Sequence, residues 1–223
     1  MTTKTKDYIL GVSLKLFLQK NFKEVTMKEI VNKTGLSKGA FYHYFESKEK
    51  LFYEVINNFF ASVLNVDFNE YSKESLYQFY KDCTNKFDSL KIDFNGGKKD
   101  SGNATGIEGA GDERDASDTD DASDNFFNMN FFFLIFDALK MFPEFRKKME
   151  NYHKRELNAW KDIIKHAKKT GEIKTTMSDK HIAMVFIHTA DGISMDLVLG
   201  GSVENLKNEI KSLWDKFYES LKA

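Results

Sequence analysis

Proline and cysteine each occur once in the 223 residues of this chain. A single proline, at 143, cannot punctuate the many tight turns of a β-sandwich or barrel, whereas long helices suit such scarcity. With Cys83 as the sole thiol, no intrachain disulfide can form, and a reducing compartment fits. The start, MTTKTKDYILGV, lacks the apolar core of a signal peptide. The longest aromatic and aliphatic run, Phe131 to Phe136, is far shorter than the roughly 20 residues that span a bilayer. The expected localisation is cytoplasmic, with no membrane partner. Net charge is also nearly absent, at −1, so the chain as a whole makes no electrostatic case for nucleic acid.

What is present is more telling. Hydrophobic residues make up 41% and charged residues 30%, enough to bury a core in one large or two modest domains. The charge is unevenly placed. Lysines stand at 4, 6, 15, 20, 23, 28, 33, 38, 48 and 50 against far fewer acids, while Asp100 to Asp124 is strongly acidic. A basic N-terminal end with a compensating remainder is the distribution that a DNA-facing module shows.

Apolar residues at Ile9, Val12, Leu16 and at Leu10, Leu14, Phe17 follow helical spacing and predict a first helix over about 4–20, with Asn21 as its terminator. Thr26 with Glu29 three positions on is a capping-box signature for a short second helix to about Lys33. Gly35 ends it, and Ser37 caps a third helix over Lys38 to Phe45. Ser47 then opens a long fourth helix expected to run through about Leu64. Two short helices joined by Thr34-Gly35-Leu36-Ser37 have the helix-turn-helix layout. Ile30, Val31, Leu36, Phe41 and Phe45 supply its small core and leave Lys38, Gly39, Tyr42 and His43 facing outward.

After Ser72 a helix is expected to about Ile92. Residues 95–125 then combine glycine, serine and aspartate with almost nothing apolar, and are expected to form a disordered acidic loop. A calcium site there is disfavoured, because no DxDxDG loop with a closing glutamate is present. Helices resume over 126–141, 144–169, 179–199 and 203–221, with Pro143, Ser178 and Ser202 at their starts. No strand pattern occurs, so the fold class is all-α. No nucleophile elbow, phosphate loop, HExxH or CxxC is found, and the histidines are isolated; an enzyme is not expected, and neither a metal nor a cofactor is implied.

The strings Thr26-Met27-Lys28-Glu29-Ile30, Thr34 through Phe45 and Ser47 through Leu51, with Leu16-Phe17 before them, resemble the DNA-binding domain of the TetR/AcrR family of regulators. The resemblance runs from Ile9 to Leu51, about a fifth of the chain. Ser13, Asn21 and Val31 stand where the family usually has Ala, Gly and Ala. The resemblance implies a homodimer, usually a repressor, whose C-terminal helices bind a small molecule and thereby misalign two reading heads. The helices over 179–199 and 203–221 would pair as a four-helix interface. The implied organisation is a helix-turn-helix domain over 1–50 and a ligand-binding and dimerisation domain over 51–223. The DNA partner would be a palindromic operator.

Lys38 and Gly39 open the recognition helix, where a lysine can donate to guanine O6 and N7 and a glycine permits close approach. Tyr42 and Tyr44 are candidates for phosphate contact through their hydroxyls, against the alternative that they only pack. His43 is the next outward position. Lys48 sits at a helix N-terminus beside the recognition helix, a second reason to expect phosphate there. Thr26 and Ser37 are caps whose hydroxyls can also reach phosphate. Too many of Phe126, Phe127, Phe131, Phe132, Phe133, Phe136 and Phe142 are consecutive to share one helix face. Ordinary bundle core is the simpler reading of any one of them; against it, Phe132 and Phe136, with the polar pair His188 and Asp191 about one turn apart, are candidate contacts for an apolar or amphipathic effector. The alternative is a helical protein-interaction module that does not bind DNA; the clustered lysines speak against it.

Overall fold

The computed structural model describes residues 3–89, 129–200 and 205–222. The acidic segment expected to be disordered, 95–125, lies outside the described residues, as do Phe126, Phe127, Ser202 and Val203. Among the described residues all regular structure is helical: α1 (Thr3–Gln19), α2 (Met27–Thr34), α3 (Lys38–Tyr44), α4 (Lys48–Phe59), α5 (Ala61–Leu64), a 3₁₀ turn (Phe68–Glu70), α6 (Leu76–Ser89), α7 (Met129–Met141), α8 (Pro143–Thr170), α9 (Asp179–Leu199) and α10 (Leu206–Leu221).

Local sequence accounts for most of these ends. Beyond the end of α1 the Asn21 side chain shapes the next turn: its Oδ1 accepts from the backbone of Lys23 (3.0 Å) and Glu24 (3.2 Å). Pro143 opens α8, where its missing N–H costs nothing. Gly171 closes the same helix at φ 80, in the left-handed region that favours glycine. Ser178 caps α9 by accepting from His181 N at 3.2 Å.

One expected element is interrupted. The fourth helix does not run straight to Leu64: it stops at Phe60, φ −87 and ψ 3, and resumes as α5. Phe59 and Phe60 are both buried, although neighbours on a helix point about 100° apart. The break lets both rings turn inward, Phe59 toward Phe131 (6.0 Å between centroids) and Phe60 toward Phe145 (5.5 Å).

Among the described residues two hydrophobic cores result. The first joins Ile9, Phe17, Ile30, Phe41 and Phe45 to Leu51, Phe52, Val55 and Phe60, and then to Leu134, Ala138 and Phe145. The second joins Leu76, Phe79 and Tyr80 of α6 to Trp160 and Ile164 of α8, Phe186 of α9 and Trp214 of α10. Helix α8 belongs to both. Phe145 enters the first and Trp160 the second, about 22 Å further along at 1.5 Å per residue. The helix-turn-helix therefore shares its core with α4, α7 and the start of α8, across the boundary expected at residue 50.

Candidate nucleic-acid interface

The short helices α2 and α3 depend on their caps, because eight and seven residues are too few to hold a helix by propensity alone. Thr26 Oγ1 accepts from Glu29 N, and Ser37 Oγ accepts from Ala40 N, each at 3.2 Å. The hydrogen bond from Lys20, assisted by the backbone N–H of Thr26, holds the Glu29 carboxyl below the usual range. The capping box is thus tied to the end of α1. Gly35 makes the turn at φ 65, where a side chain would be strained.

This turn sets which face of α3 is outward. Phe41 and Phe45 are buried, whereas Lys38, Gly39, Tyr42 and His43 are exposed. Lys38 Nζ stands 5.9 Å from the centroid of the Tyr42 ring. A Cβ placed on Gly39 would meet nothing within 4 Å, so no internal packing demands a glycine there. The two tyrosines differ. Tyr42 points into solvent, while Tyr44 is half-buried against the first core.

Lys48 turns inward. Its ammonium donates to the carbonyls of Phe22 and Val25, each at 2.8 Å, and lies 4.4 Å from the centroid of the Phe22 ring. Phe22 in turn packs on Phe52 (4.7 Å) and Phe52 on Phe17 (4.9 Å). The start of α4 is thereby fastened to the α1–α2 connection. An ammonium has three N–H donors, and these contacts use two. Phe22 is the structural partner that sequence reasoning missed.

The residues expected at an effector site lie on two helices. Phe132 is half-buried on α7, and Phe136 is 57% exposed. On α9, His188 Nδ1 is 3.6 Å from Asp191 Oδ2, with both side chains well exposed. Among the described residues no group of three or more His, Cys, Asp or Glu is placed to hold a metal ion.

Residues 9–55 match the family model for bacterial regulatory proteins of the tetR family. The helix-turn-helix domain belongs to the TetR family. The chain is 44% identical over 52 residues to the HTH-type transcriptional regulator QacR of Staphylococcus aureus, covering 23% of this chain and 28% of that one. It is 36% identical over 74 residues to the HTH-type transcriptional regulator YuxN of Bacillus subtilis, covering 31% and 25%. The match thus spans about a quarter of these relatives' length. Likeness over the whole chain is a likeness of fold. A TetR-family transcriptional regulator from Cytophaga hutchinsonii superposes with a TM-score of 0.58 at 16% identity, covering 100% of this chain and 98% of that one. A transcriptional regulator from Aquifex aeolicus gives 0.54 at 19%, covering 96% and 99%.

Proposed function

We propose that this protein is a sequence-specific DNA-binding transcription regulator: a cytoplasmic homodimer on a palindromic operator, acting as a repressor released by a small effector. The observation that carries the reading is the outer face of α3. Lys38, Gly39, Tyr42 and His43 are exposed together on a helix anchored from behind by Phe41 and Phe45. Lys38 suits a base edge, and Gly39 leaves room for close approach of the duplex. Tyr42 and His43 add hydrogen-bonding groups. Thr26 and Ser37 use their oxygens as caps and keep an O–H to donate to phosphate. Lys48 has its third N–H for the same purpose. Tyr44, half-buried, contributes its hydroxyl at the margin.

One short helix reads only a few base pairs, so useful specificity needs two, about 34–36 Å or a multiple apart. Helices α9 and α10 supply a surface for such pairing. Besides the residues they bury, they expose Leu199 (65%) and Leu213 (42%). By length and composition α9 is also apolar enough to cross a membrane. Its buried face packs into the second core, where Trp214 Nε1 donates to the Phe186 carbonyl at 3.0 Å, and a partner protomer accounts for apolar residues left outside. Phe132, Phe136, His188 and Asp191 remain the effector contacts proposed for the α7 and α9 surfaces.

The test is selection of bound fragments from a random DNA pool, with the mass of the bound species measured in solution. A two-fold symmetric consensus bound by a dimer is expected. A folded protein that enriches no sequence would favour the interaction-module reading instead.

A further inference from the structure

An open groove of about 460 Å³ runs between the 3₁₀ turn, α6 and α8, within the usual range for small-molecule sites. Phe68, Phe79 and Ile163 give it an apolar floor, and Lys73, Arg155 and His166 stand on its rim. The rim carries more donors than acceptors. Arg155 Nη1 donates to the Val66 carbonyl at 3.0 Å and Nη2 to the Leu64 carbonyl at 2.5 Å, which uses two of five guanidinium N–H groups. Lys73 Nζ uses one of three on Asn69 Oδ1, at 3.3 Å. On the acceptor side, Asp67 Oδ1 already accepts from the backbone and side chain of Asn69, both at 2.9 Å. Asp162 is the other carboxylate at the rim.

From this arrangement we propose that the groove binds a small aromatic carboxylate, its ring against Phe68 above the buried Phe79 and its charge on Arg155 and Lys73. A guanidinium fork matches a carboxylate in two parallel hydrogen bonds, which a neutral ligand cannot reproduce. None of Phe132, Phe136, His188 and Asp191 lines the groove, so it is separate from the effector contacts proposed on α7 and α9. The inference rests on the regulator reading only for its consequence. Leu64 ends α5, and α5 continues α4 beyond the break at Phe60. A carboxylate on the remaining N–H groups pulls the Arg155 guanidinium toward the groove and weakens its hold on the Leu64 and Val66 carbonyls at that end. The opposite end of α4 is the one that Lys48 fastens to the helix-turn-helix. Ligand and DNA are then linked through one helix, and each must weaken the other by the same factor.

The full chain is titrated with 1-naphthoate, its neutral amide 1-naphthamide and the cation 1-naphthylmethylamine, by calorimetry and by tryptophan fluorescence. Phe79 lies 5.0 Å from Trp160, so occupation of the groove is expected to change the emission. The naphthoate is expected to bind at least tenfold more tightly than the amide or the amine. Lys73→Met is expected to weaken it several-fold without moving the unfolding midpoint, Lys73 being exposed. Arg155→Met is expected to abolish the preference for the acid. Equal affinities for the three probes, a preference for the amine, or affinities untouched by both substitutions overturn the site. Selected operator DNA is followed separately. Naphthoate that binds the groove yet leaves operator affinity unchanged overturns the coupling. Failure to bind any DNA in the absence of ligand counts against the regulator reading and leaves the probe preference, with its dependence on Lys73 and Arg155, to decide the groove.

Discussion

Asn130 holds the end of α1 through Leu18: its side-chain amide donates to the Leu18 carbonyl at 2.9 Å, and to that of Gln19 at 3.1 Å. The last carbonyls of a helix lack partners within it, and here α7 supplies one from 111 and 112 residues away. Since Leu134 and Ala138 of α7 also enter the first core, α7 fixes how the helix-turn-helix sits on the remainder. Asn130→Asp turns this donor into an acceptor beside the negative end of the α1 dipole. It is expected to lower stability by about 1–3 kcal/mol, the cost of leaving such groups unpaired, with Asn130→Ala at the lower end. Urea unfolding curves check this; an Asp variant as stable as the parent would remove the contact from the account.

A carboxylate performs the matching task in the second core. Glu172, just beyond the end of α8, accepts from the backbone N–H of Leu76 (2.9 Å) and Tyr77 (3.0 Å) and from the Tyr218 hydroxyl (2.9 Å). One side chain thus caps α6 and holds it to α10. Charged acceptors form the stronger hydrogen bonds, so Glu172→Ala is expected to cost about 2–3 kcal/mol and Tyr218→Phe about 1 kcal/mol. Because the two share one contact, the double variant should cost less than the sum, which a double-mutant cycle on unfolding midpoints measures.

These two contacts mark where sequence reading ends. Helices α2 and α3 were legible because Thr26, Gly35 and Ser37 act within three residues of themselves, and residue identity shows in such local caps. The partners of Lys48 lie 23 and 26 residues earlier, and those of Glu172 on α6 lie 95 and 96 residues earlier. In both cases the partner is a backbone group, which carries no side-chain signature. The break at Phe60 was hidden for another reason: two adjacent phenylalanines suit a continuous helix until Phe131 and Phe145 are known to face them. The groove draws on three separate segments, and its residues alternate with core positions along α8. Periodicity alone reads Arg155 and His166 there as a solvated face.

Stability should fall on the acid side through Asp215. Burial raises its carboxyl pKa, but hydrogen bonds from Lys211 (2.6 Å) and the Tyr80 hydroxyl (2.8 Å) outweigh that and leave it below the ordinary value. A group depressed in the folded state contributes fully above its unfolded pKa, and the contribution is lost as pH falls through the folded one. His153 works in the opposite sense. The Glu156 carboxylate, 3.6 Å from its Nδ1, raises its pKa, so its contribution is present below the ordinary histidine value and fades as pH rises past the folded one. Asp215→Asn is therefore expected to flatten the acid limb of stability against pH and leave the neutral-to-basic limb in place. Unfolding midpoints between pH 3 and pH 8 decide it; an unchanged acid limb would show that other carboxylates set it.

The last prediction separates two lysines that composition alone makes equivalent. Lys38 is exposed beside Tyr42, while the Lys48 ammonium already holds the Phe22 and Val25 carbonyls. Lys38→Ala removes no internal hydrogen bond, and stability should stay within about 0.5 kcal/mol of the parent. Lys48→Ala strands two carbonyls and should cost about 1–3 kcal/mol. On DNA the order of effects changes. Lys38→Ala should flatten preference at one or two positions of each half-site, by about 1–3 kcal/mol for a good base contact. Lys48→Ala should weaken binding to all sequences alike. If its third N–H meets phosphate, the slope of log affinity against log salt should also fall by about 1 unit. Unfolding curves and salt titrations on the same preparations read both effects. A Lys48→Ala protein that is destabilised but keeps the parental salt slope would assign Lys48 to holding α4 on the reading head, with no phosphate of its own.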